Sequence, residues 1–205
     1  SVNLSGPFMF SFNMETKYFE IYTAYPQLYT PGDANRWSQA ASTPIYTTDY
    51  VNYKGFVHVA SMFKFCATLN WDVNWGADNG KLTPGGSDIK VEANGCYYVT
   101  ANLASLTYTT TLMTSCGVIG DATPNGWGGQ TNLVQDAANP MIYRGQIDFN
   151  GTGEWKIRFN DNWDYNLGGD MNNLTVGGSN IPTPGAGKKT VTLDLSKFPY
   201  TVTVQ

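Results

Sequence analysis

The sequence predicts an all-β protein built from tandem immunoglobulin-like β-sandwich modules, and three observations support this prediction. Aromatic and charged residues each make up 14% of the 205 residues, and 22 are glycine, a profile typical of strands and turns. No run of ten or more residues has the apolar spacing of a helix. The chain also repeats its own pattern at a distance of about 90 residues.

Three segments predict β-hairpins, because in each an alternating apolar run is followed by a short turn and a second run. They occupy residues 1–26, 99–112 and 191–204. The first predicts either the C-terminal hairpin of an upstream module or a hairpin packed on the next module. The alternating apolar residues of the three are Phe8, Phe10, Phe12 and Met14, then Val99, Ala101 and Leu103, then Val191, Leu193 and Leu195.

Between these hairpins a series of landmarks recurs at an offset of 88 to 92 residues. The matched pairs are Asp33 and Asp121, Lys54 and Arg144, Lys64 and Lys156, Trp71 and Trp163, and Leu82 and Leu174. This repeat predicts a first module over residues 27–113 and a second module over residues 114–205. Since almost no linker separates them, we expect the modules to pack end to end.

The strand at 155–158 and the stretch after it, 159–169, are the most informative part of the second module. Alternation places Lys156 and Arg158 on one face of the strand, and Trp155 and Ile157 on the face that enters the core. The residues after Phe159 predict a loop in which aromatic rings lie among amides and carboxylates.

Charge and cysteine content exclude several functional classes. The net charge is −4, and the twelve basic residues are scattered, so no cluster is present that would bind a nucleic acid. No apolar stretch is long enough to cross a membrane. His58 lies in an alternating strand, and the three cysteines lack the spacing of metal ligands, so we expect no metal and no cofactor. A Cys66–Cys96 bridge is one pairing that the sequence allows.

The aspartates do not predict catalysis. Sugar hydrolysis requires two carboxyl groups held at a set distance, with one kept protonated. Asp161 and Asp164 are close in sequence, but only Asp33/Asp121 and Asp72/Asp164 recur in both modules, in turns where aspartate commonly accepts hydrogen bonds from the backbone. No nucleophile motif or phosphate-binding loop is present, so we expect the protein not to be an enzyme.

Binding of a carbohydrate accounts better for the repeated residues. Sugar rings present an apolar C–H face that stacks on tryptophan, and their hydroxyl groups need donors and acceptors around the ring. Each module offers a tryptophan after its Gly-Asp-Ala turn and another after its cationic strand. A lone tryptophan in a sequence is usually a core residue, and we expect this of Trp155. Two tryptophans on polar loops instead favour rings that are exposed for binding.

The order of these motifs resembles the SusE/SusF-type outer-membrane starch-binding lipoproteins of Bacteroidetes over essentially the whole chain. The resemblance lies in Gly-Asp-Ala followed by tryptophan, then Lys-x-Arg and tryptophan, then Gly-Gly and a closing hairpin. It implies tandem carbohydrate-binding modules for starch or another α-1,4-glucan, without catalysis. It also implies polysaccharide utilisation at the cell surface of the outer membrane, beside a TonB-dependent transporter and its glycan-binding lipoprotein partner. The implied lipid anchor is absent from these residues.

The resemblance carries site residues onto matching positions of this sequence. The first module departs from the family's pattern, because Cys66 stands at the position of Arg158 and Val73 at that of Tyr165. Trp75 is therefore expected to supply the missing ring. The implied binding residues are Trp127, Trp163, Lys156, Arg158, Asn160, Asn162 and Tyr165 in the second module, and Trp37, Trp71, Lys64, Asn70 and Trp75 in the first.

Two alternatives to starch binding remain open from the residues alone. One is binding of a different polysaccharide, because loop changes alter the specificity of such surfaces. The other is a structural or adhesion module at the cell surface whose tryptophans are buried.

Overall fold

A computed structural model describes residues 8–205, and this part of the chain is all-β, as predicted. Beside the strands it contains one short 3₁₀ turn, Asp33–Asn35, and no helix long and apolar enough to span a membrane is found among the described residues. The strands are β1 (Phe8–Phe12), β2 (Phe19–Thr23), β3 (Gln27–Leu28), β4 (Ile45–Thr47), β5 (Asn52–Val59), β6 (Met62–Phe63), β7 (Phe65–Cys66), β8 (Asn74–Asp78), β9 (Lys81–Pro84), β10 (Ile89–Lys90), β11 (Gly95–Asn102), β12 (Thr107–Leu112), β13 (Cys116–Gly120), β14 (Gly126–Gln135), β15 (Ile142–Phe149), β16 (Glu154–Phe159), β17 (Asn162–Asp170), β18 (Asn173–Val176), β19 (Ile181–Pro182), β20 (Gly187–Asp194) and β21 (Thr201–Val204).

The first predicted hairpin is confirmed where the structure describes it, and its residues 1–7 lie outside the described range. β1 and β2 pair antiparallel, with Phe10 opposite Ile21 and Phe12 opposite Phe19. Phe10 is 67% exposed and Phe19 is 72% exposed, so the first module does not cover these two rings.

Residues 27–113 and 114–205 are called the first and the second module below. The first has its core between two groups of strands. One is a five-stranded sheet in the order β12-β11-β5-β4-β3, and the other comprises β7-β8-β9 and the pair β10-β6. Single bridges from Tyr29 to Cys66 and from Gly32 to Phe63 continue the pairing beyond β3. The buried cluster between these layers includes Leu28, Tyr53, Phe65, Leu82 and Val99.

The second module forms its two layers from one continuous set of pairings, in the order β18-β17-β16-β13-β14-β15-β20-β21, with β19 beside β16. β14 is the strand that joins the layers. It pairs with β13 as far as Leu133 opposite Cys116, and then with β15 from Val134 opposite Arg144. The core between the layers contains Trp155, Ile157 and Val191, all fully buried, as alternation predicts for the strand.

The other two predicted hairpins are confirmed as β11-β12 and β20-β21. Each lies beside the long strand of its own module, in the same register. Gly55 of β5 is opposite Val99 of β11, and Gly145 of β15 is opposite Val191 of β20. This register defines which residues of the two modules occupy equivalent positions.

The loop predicted after Phe159 is wrong for most of its length. Phe159 pairs with Asn162, and the two residues between them, Asn160 and Asp161, have φ of 52° and 50°. A two-residue turn with both central residues left-handed directs the chain back into a neighbouring strand, so β17 begins at once. A register shift between Arg158 and Phe159 then leaves residues 163–165 of β17 without a paired residue in β16.

Cys66, Cys96 and Cys116 are all buried free thiols, so the Cys66–Cys96 bridge that the sequence allowed is not formed. Burial raises the pKa of Cys96 to about 12. His58 lies in β5 with its Nε2 2.7 Å from Asn94 Oδ1, a strand residue as predicted. No cluster of potential metal ligands occurs within residues 8–205.

The two modules share an apolar junction. Phe56 and Tyr98 lie on the outer face of the first module's five-stranded sheet and belong to the same buried cluster as the second module's core. The Phe56 ring lies 4.9 Å from that of Phe159, and its backbone N–H donates to Tyr200 Oη at 2.9 Å. On the rim, Tyr46 stacks on Phe198 at 3.8 Å.

Because Phe56 is fully buried between the modules, Phe56→Ala should destabilise the chain by about 3–5 kcal/mol. It should also weaken the coupling between the modules, so that urea unfolding followed by circular dichroism separates into two transitions. Phe65→Ala, an equally buried change within the first core, is the control, and it should lower the midpoint of a transition that stays single because the junction is intact. A single unchanged transition for Phe56→Ala would contradict this role.

Candidate functional site

Each module brings two tryptophan rings together on its surface. In the first module Trp37 and Trp71 have ring centroids 6.2 Å apart and planes inclined by 42°. In the second, Trp127 and Trp163 are 6.1 Å apart with an inclination of 40°. Trp71, Trp127 and Trp163 are 42%, 40% and 45% exposed, and Trp37 is half-buried. The same pair of inclined rings is therefore formed twice.

The second ring of each pair is fixed by an asparagine that sequence reasoning missed. Asn74 Nδ2 donates to Trp71 O at 2.7 Å, and Asn166 Nδ2 donates to Trp163 O. The backbone carbonyls of the same asparagines accept from Gly85 N and Gly177 N, at 3.0 Å in both modules. Asn74 and Asn166 are therefore positioning residues. Their identity at the repeat's offset of 92 residues, at 74 and 166, was the signal that could have found them.

The strand lysine of each module holds the turn that follows this asparagine. Lys64 Nζ donates to Gly86 O, and Lys156 Nζ donates to Gly178 O, at 2.6 Å in both cases. Partial burial lowers the pKa of Lys156 by desolvation. An ammonium group has three donors, so each lysine retains further N–H groups that its bond to the glycine carbonyl does not use.

Arg158 supports a ring from beneath. Its side chain is only 11% exposed, and its Cζ lies 5.0 Å from the centroid of Trp163, within the range of a cation–π interaction. Nε donates to Gln130 Oε1 at 3.2 Å, and one terminal nitrogen pairs with Asp161 at 3.0 Å. Most of the guanidinium is thus used within the protein, and Trp163 remains 45% exposed beside it.

Trp37 is held by a different set of contacts in the first module. Its Nε1 donates to Asp33 Oδ1 at 2.9 Å, and Ser61 Oγ donates to the other carboxylate oxygen. Trp37 has φ of 61°, a left-handed conformation that bulky residues rarely adopt. Such strain persists where the surrounding structure enforces it, and it occurs mainly at functional sites.

Three predicted site residues do not join the tryptophan pairs. Trp75 is only 9% exposed and belongs to the first core, so it supplies no additional ring. Tyr165 turns toward the junction, where its ring lies 5.4 Å from that of Tyr98. Asn160 closes the junction: its Oδ1 accepts from Thr114 N at 2.8 Å and its Nδ2 donates to Leu112 O at 2.8 Å. The side chains of these three residues are used in packing within and between the modules, and their role in binding stays a prediction.

The two remaining amides lie next to the exposed rings. Asn162 is exposed, and its Oδ1 accepts from Asp164 N at 2.8 Å. Asn70 is exposed in the loop before Trp71, where its Nδ2 donates to Asp72 Oδ2 at 2.8 Å. Both amides shape the backbone beside a ring.

The tryptophan pairs lie on open surface and line neither of two shallow cavities in the described residues. One, of about 370 Å³, lies over β5, β11 and β12 and is lined by Lys54, Asn102 and Tyr108 among others. The other, of about 390 Å³, lies between the modules beside Tyr46 and Phe198. Open, aromatic, polar-rimmed surfaces suit a long chain molecule better than a small compact ligand.

The chain resembles SusF from Bacteroides thetaiotaomicron in fold. The crystal structure of that protein superposes with a TM-score of 0.59 and 18% sequence identity, over 98% of this chain and 52% of the other. The present chain therefore spans about half the length of SusF. No protein-family model matches the sequence, and no relative was found among curated proteins. The likeness supports the β-sandwich fold.

The exposures of the tryptophans make a direct prediction for acrylamide quenching of fluorescence. Trp71, Trp127 and Trp163 should be quenched readily, whereas Trp75 and Trp155, at 9% and 0% exposure, should not. Trp163→Phe should therefore lower the accessible fraction of the emission, and Trp155→Phe should raise it. The opposite pattern would show that the rings of the pairs are covered in solution.

Proposed function

We propose that this chain is a non-catalytic glycan-binding protein with a binding surface in each of two modules, residues 27–113 and 114–205. The observation that carries the proposal is the exposed pair of tryptophans, formed twice with nearly the same spacing and inclination. The residues that support each pair are also repeated. They are Lys64 and Asn74 in the first module, and Lys156 and Asn166 in the second.

Each surface has the two kinds of group that a sugar chain requires. The indole faces stack on the apolar C–H face of a sugar ring, and aromatic contacts of this kind contribute about 0.5–1.5 kcal/mol beyond burial of area. In the proposed surfaces, the N–H groups that Lys64 and Lys156 retain donate to hydroxyl oxygens of the sugar, and hydrogen bonds to charged donors contribute about 1.5–3 kcal/mol. Each tryptophan of a pair stacks on one sugar unit, so both rings take part in the proposed binding.

Among glycans, the inclination of the rings favours an α-1,4-glucan such as starch. Successive units of an α-1,4-linked chain turn relative to one another, so the chain curves and its apolar faces meet two inclined rings. An extended β-1,4-linked chain is a flat ribbon and would be matched by coplanar rings. The observed angles are 42° and 40°.

The sequence resemblance to SusE/SusF-type proteins and the likeness in fold to SusF support a cellular role for this binding. We propose that the protein, anchored by lipid in its full-length form, captures glycan at the outer-membrane surface. There it would act beside a TonB-dependent transporter and the glycan-binding lipoprotein partner of that transporter.

Removing one ring of a pair should weaken binding of soluble starch at that surface about tenfold or more, because lost stacking and burial exceed about 1.4 kcal/mol, and the double variant should lose binding at both surfaces. Native affinity electrophoresis of Trp71→Ala, Trp163→Ala and the double variant against starch and a panel of other polysaccharides measures this. Tyr50→Asn is the matched control, since Tyr50 is 41% exposed and left-handed and asparagine tolerates that conformation. Retardation by starch that survives the double variant would contradict the proposal. Retardation by another polysaccharide alone would reassign the ligand.

The absence of catalysis is a separate prediction, because the aspartates near the rings serve the fold. Asp33 accepts from Trp37, and Asp161 is paired with Arg158 at 3.0 Å. Incubation with starch and pullulan should release no reducing sugar above a blank. Product that disappears in an Asp161→Asn variant would establish an enzyme instead.

A further inference from the structure

The turn between β16 and β17 is hydrogen-bonded to the segment that joins the two modules. Asn160 Oδ1 accepts from Thr114 N at 2.8 Å and from Ser115 N at 3.3 Å. Asn160 Nδ2 donates to Leu112 O at 2.8 Å, and the Asn160 backbone N–H donates to Ser115 O at 3.1 Å. One residue thus fixes this turn of the second module to the end of β12 and to the residues that follow it.

The next residue of the turn connects these bonds to the second tryptophan pair. Asp161 Oδ1 accepts from a terminal nitrogen of Arg158 at 3.0 Å, and Arg158 Nε donates to Gln130 Oε1 at 3.2 Å. The guanidinium is therefore held at two points, and its Cζ lies 5.0 Å from the centroid of the Trp163 ring. The group that lies against this ring is thus held by a turn that is itself bonded to the module boundary.

The conformation of the turn allows its side chains to be removed without changing its backbone. Asn160 and Asp161 have φ of 52° and 50°, a left-handed conformation that glycine adopts without steric cost. Glycine at either position would therefore keep the turn and remove only the contacts of the side chain. The β8–β9 turn provides a matched reference, since the exposed residues Asn79 and Gly80 have φ of 51° and 75° there.

The first module has different residues at the matching positions. At the repeat's offset of 92 residues, Thr68 and Leu69 stand in place of Asn160 and Asp161. Thr68 Oγ1 donates to Asn70 Oδ1 at 2.6 Å within its own loop, and the uncharged Leu69 is 60% exposed. Within residues 8–205, the contacts that connect a module boundary to a tryptophan ring are therefore found at the second surface.

We propose that Asn160 is a positioning residue of the second surface, which holds Arg158 and the Trp163 ring in the geometry that binds a glycan while the two modules are docked. This rests on the proposed function of the tryptophan pairs. Ordering a side chain at the moment of binding costs affinity, and Asn160 reduces this cost by fixing the turn beforehand. Because coupling of this kind is reciprocal, a ligand on Trp163 also stabilises the junction.

The test uses the full chain with the first surface disabled by Trp71→Ala, titrated with maltoheptaose by isothermal calorimetry. In that background Asn160→Gly should weaken binding about threefold to tenfold, because ordering of the ring and the guanidinium is then paid on binding. Asn160→Asp keeps the acceptor and loses the donor to Leu112, so its affinity should fall between Asn160→Gly and the parent. Asn79→Gly is the matched control and should leave the affinity unchanged.

A double-variant cycle separates positioning from a purely structural role. Asp161→Gly removes the partner of Arg158 from the same turn and should also weaken binding. If both residues act through one connection, the double variant Asn160→Gly/Asp161→Gly should lose no more affinity than the larger of the two single losses. Circular dichroism checks that each variant is folded, and Asn160→Asp and Asp161→Gly carry the test if Asn160→Gly does not fold.

Unchanged affinity in either single glycine variant, additive losses in the double variant, or an equal loss in Asn79→Gly would each overturn the role of Asn160 and leave the proposed function intact. Failure of the unaltered chain to bind maltoheptaose would instead refute binding of this glucan by the protein. Failure of the Trp71→Ala chain alone would show that the second surface does not bind it, and the role of Asn160 would be refuted with that surface.

Discussion

In each module, a hydrogen bond from a lysine to the carbonyl of a turn glycine is the contact that links the core strands to the tryptophan pair. Lys64 to Gly86 and Lys156 to Gly178 have the same length, 2.6 Å. The turn they hold lies so close to the adjacent strand that a Cβ on Gly168 would come within 2.2 Å of Ser179 O. From that turn, Gly177 bonds to Asn166, and Asn166 bonds to Trp163. Hydrogen bonds thereby connect a core strand to the backbone of the residue that carries the exposed ring.

This connection explains how a flat, solvent-exposed ring keeps a defined orientation. Exposed side chains gain little from packing, and ordering them costs entropy. Here the backbone of the ring residue is fixed, and in the second module Arg158 lies against one ring face. For the proposed glycan binding, preorganisation of this kind would reduce the entropy lost when a ligand stacks on the rings.

The two modules differ on the sheet face that the first module buries against the second. In the shared register, Phe56 and Tyr98 of the first module correspond to Gln146 and Thr190 of the second. The apolar pair is covered by the second module's Phe159 and Tyr200, whereas Gln146 and Thr190 are exposed. Burial of apolar area favours the junction on one sheet face, and its polar counterpart faces solvent. The same sheet face is thus buried against a neighbouring module in the first module and exposed to solvent in the second.

Local patterns were sufficient to predict the class of fold. Alternation along β16 predicted which of Trp155, Lys156 and Ile157 enter the core, because successive strand residues point to opposite sides. The hairpins and the internal repeat followed from the same kind of pattern, and the paired tryptophans were candidates because their spacing recurred. These features depend on residues near one another in sequence or on comparison of one half of the chain with the other.

Tertiary packing determined which of these side chains are exposed and which are buried, and no local pattern in the sequence predicts this. Trp71 and Trp75 are four residues apart in similar surroundings, yet one is 42% exposed and the other 9%, since only Trp75 lies on a strand facing the first core. Asn160 and Tyr165 contact the junction between the modules, which the local pattern did not predict, because their partners there are distant in sequence. Arg158 proved to lie beneath Trp163, because the strand carrying the cation pairs directly with the strand carrying the ring. Each outcome depends on contacts between segments distant in sequence, and the free energy of those contacts exceeds any local preference.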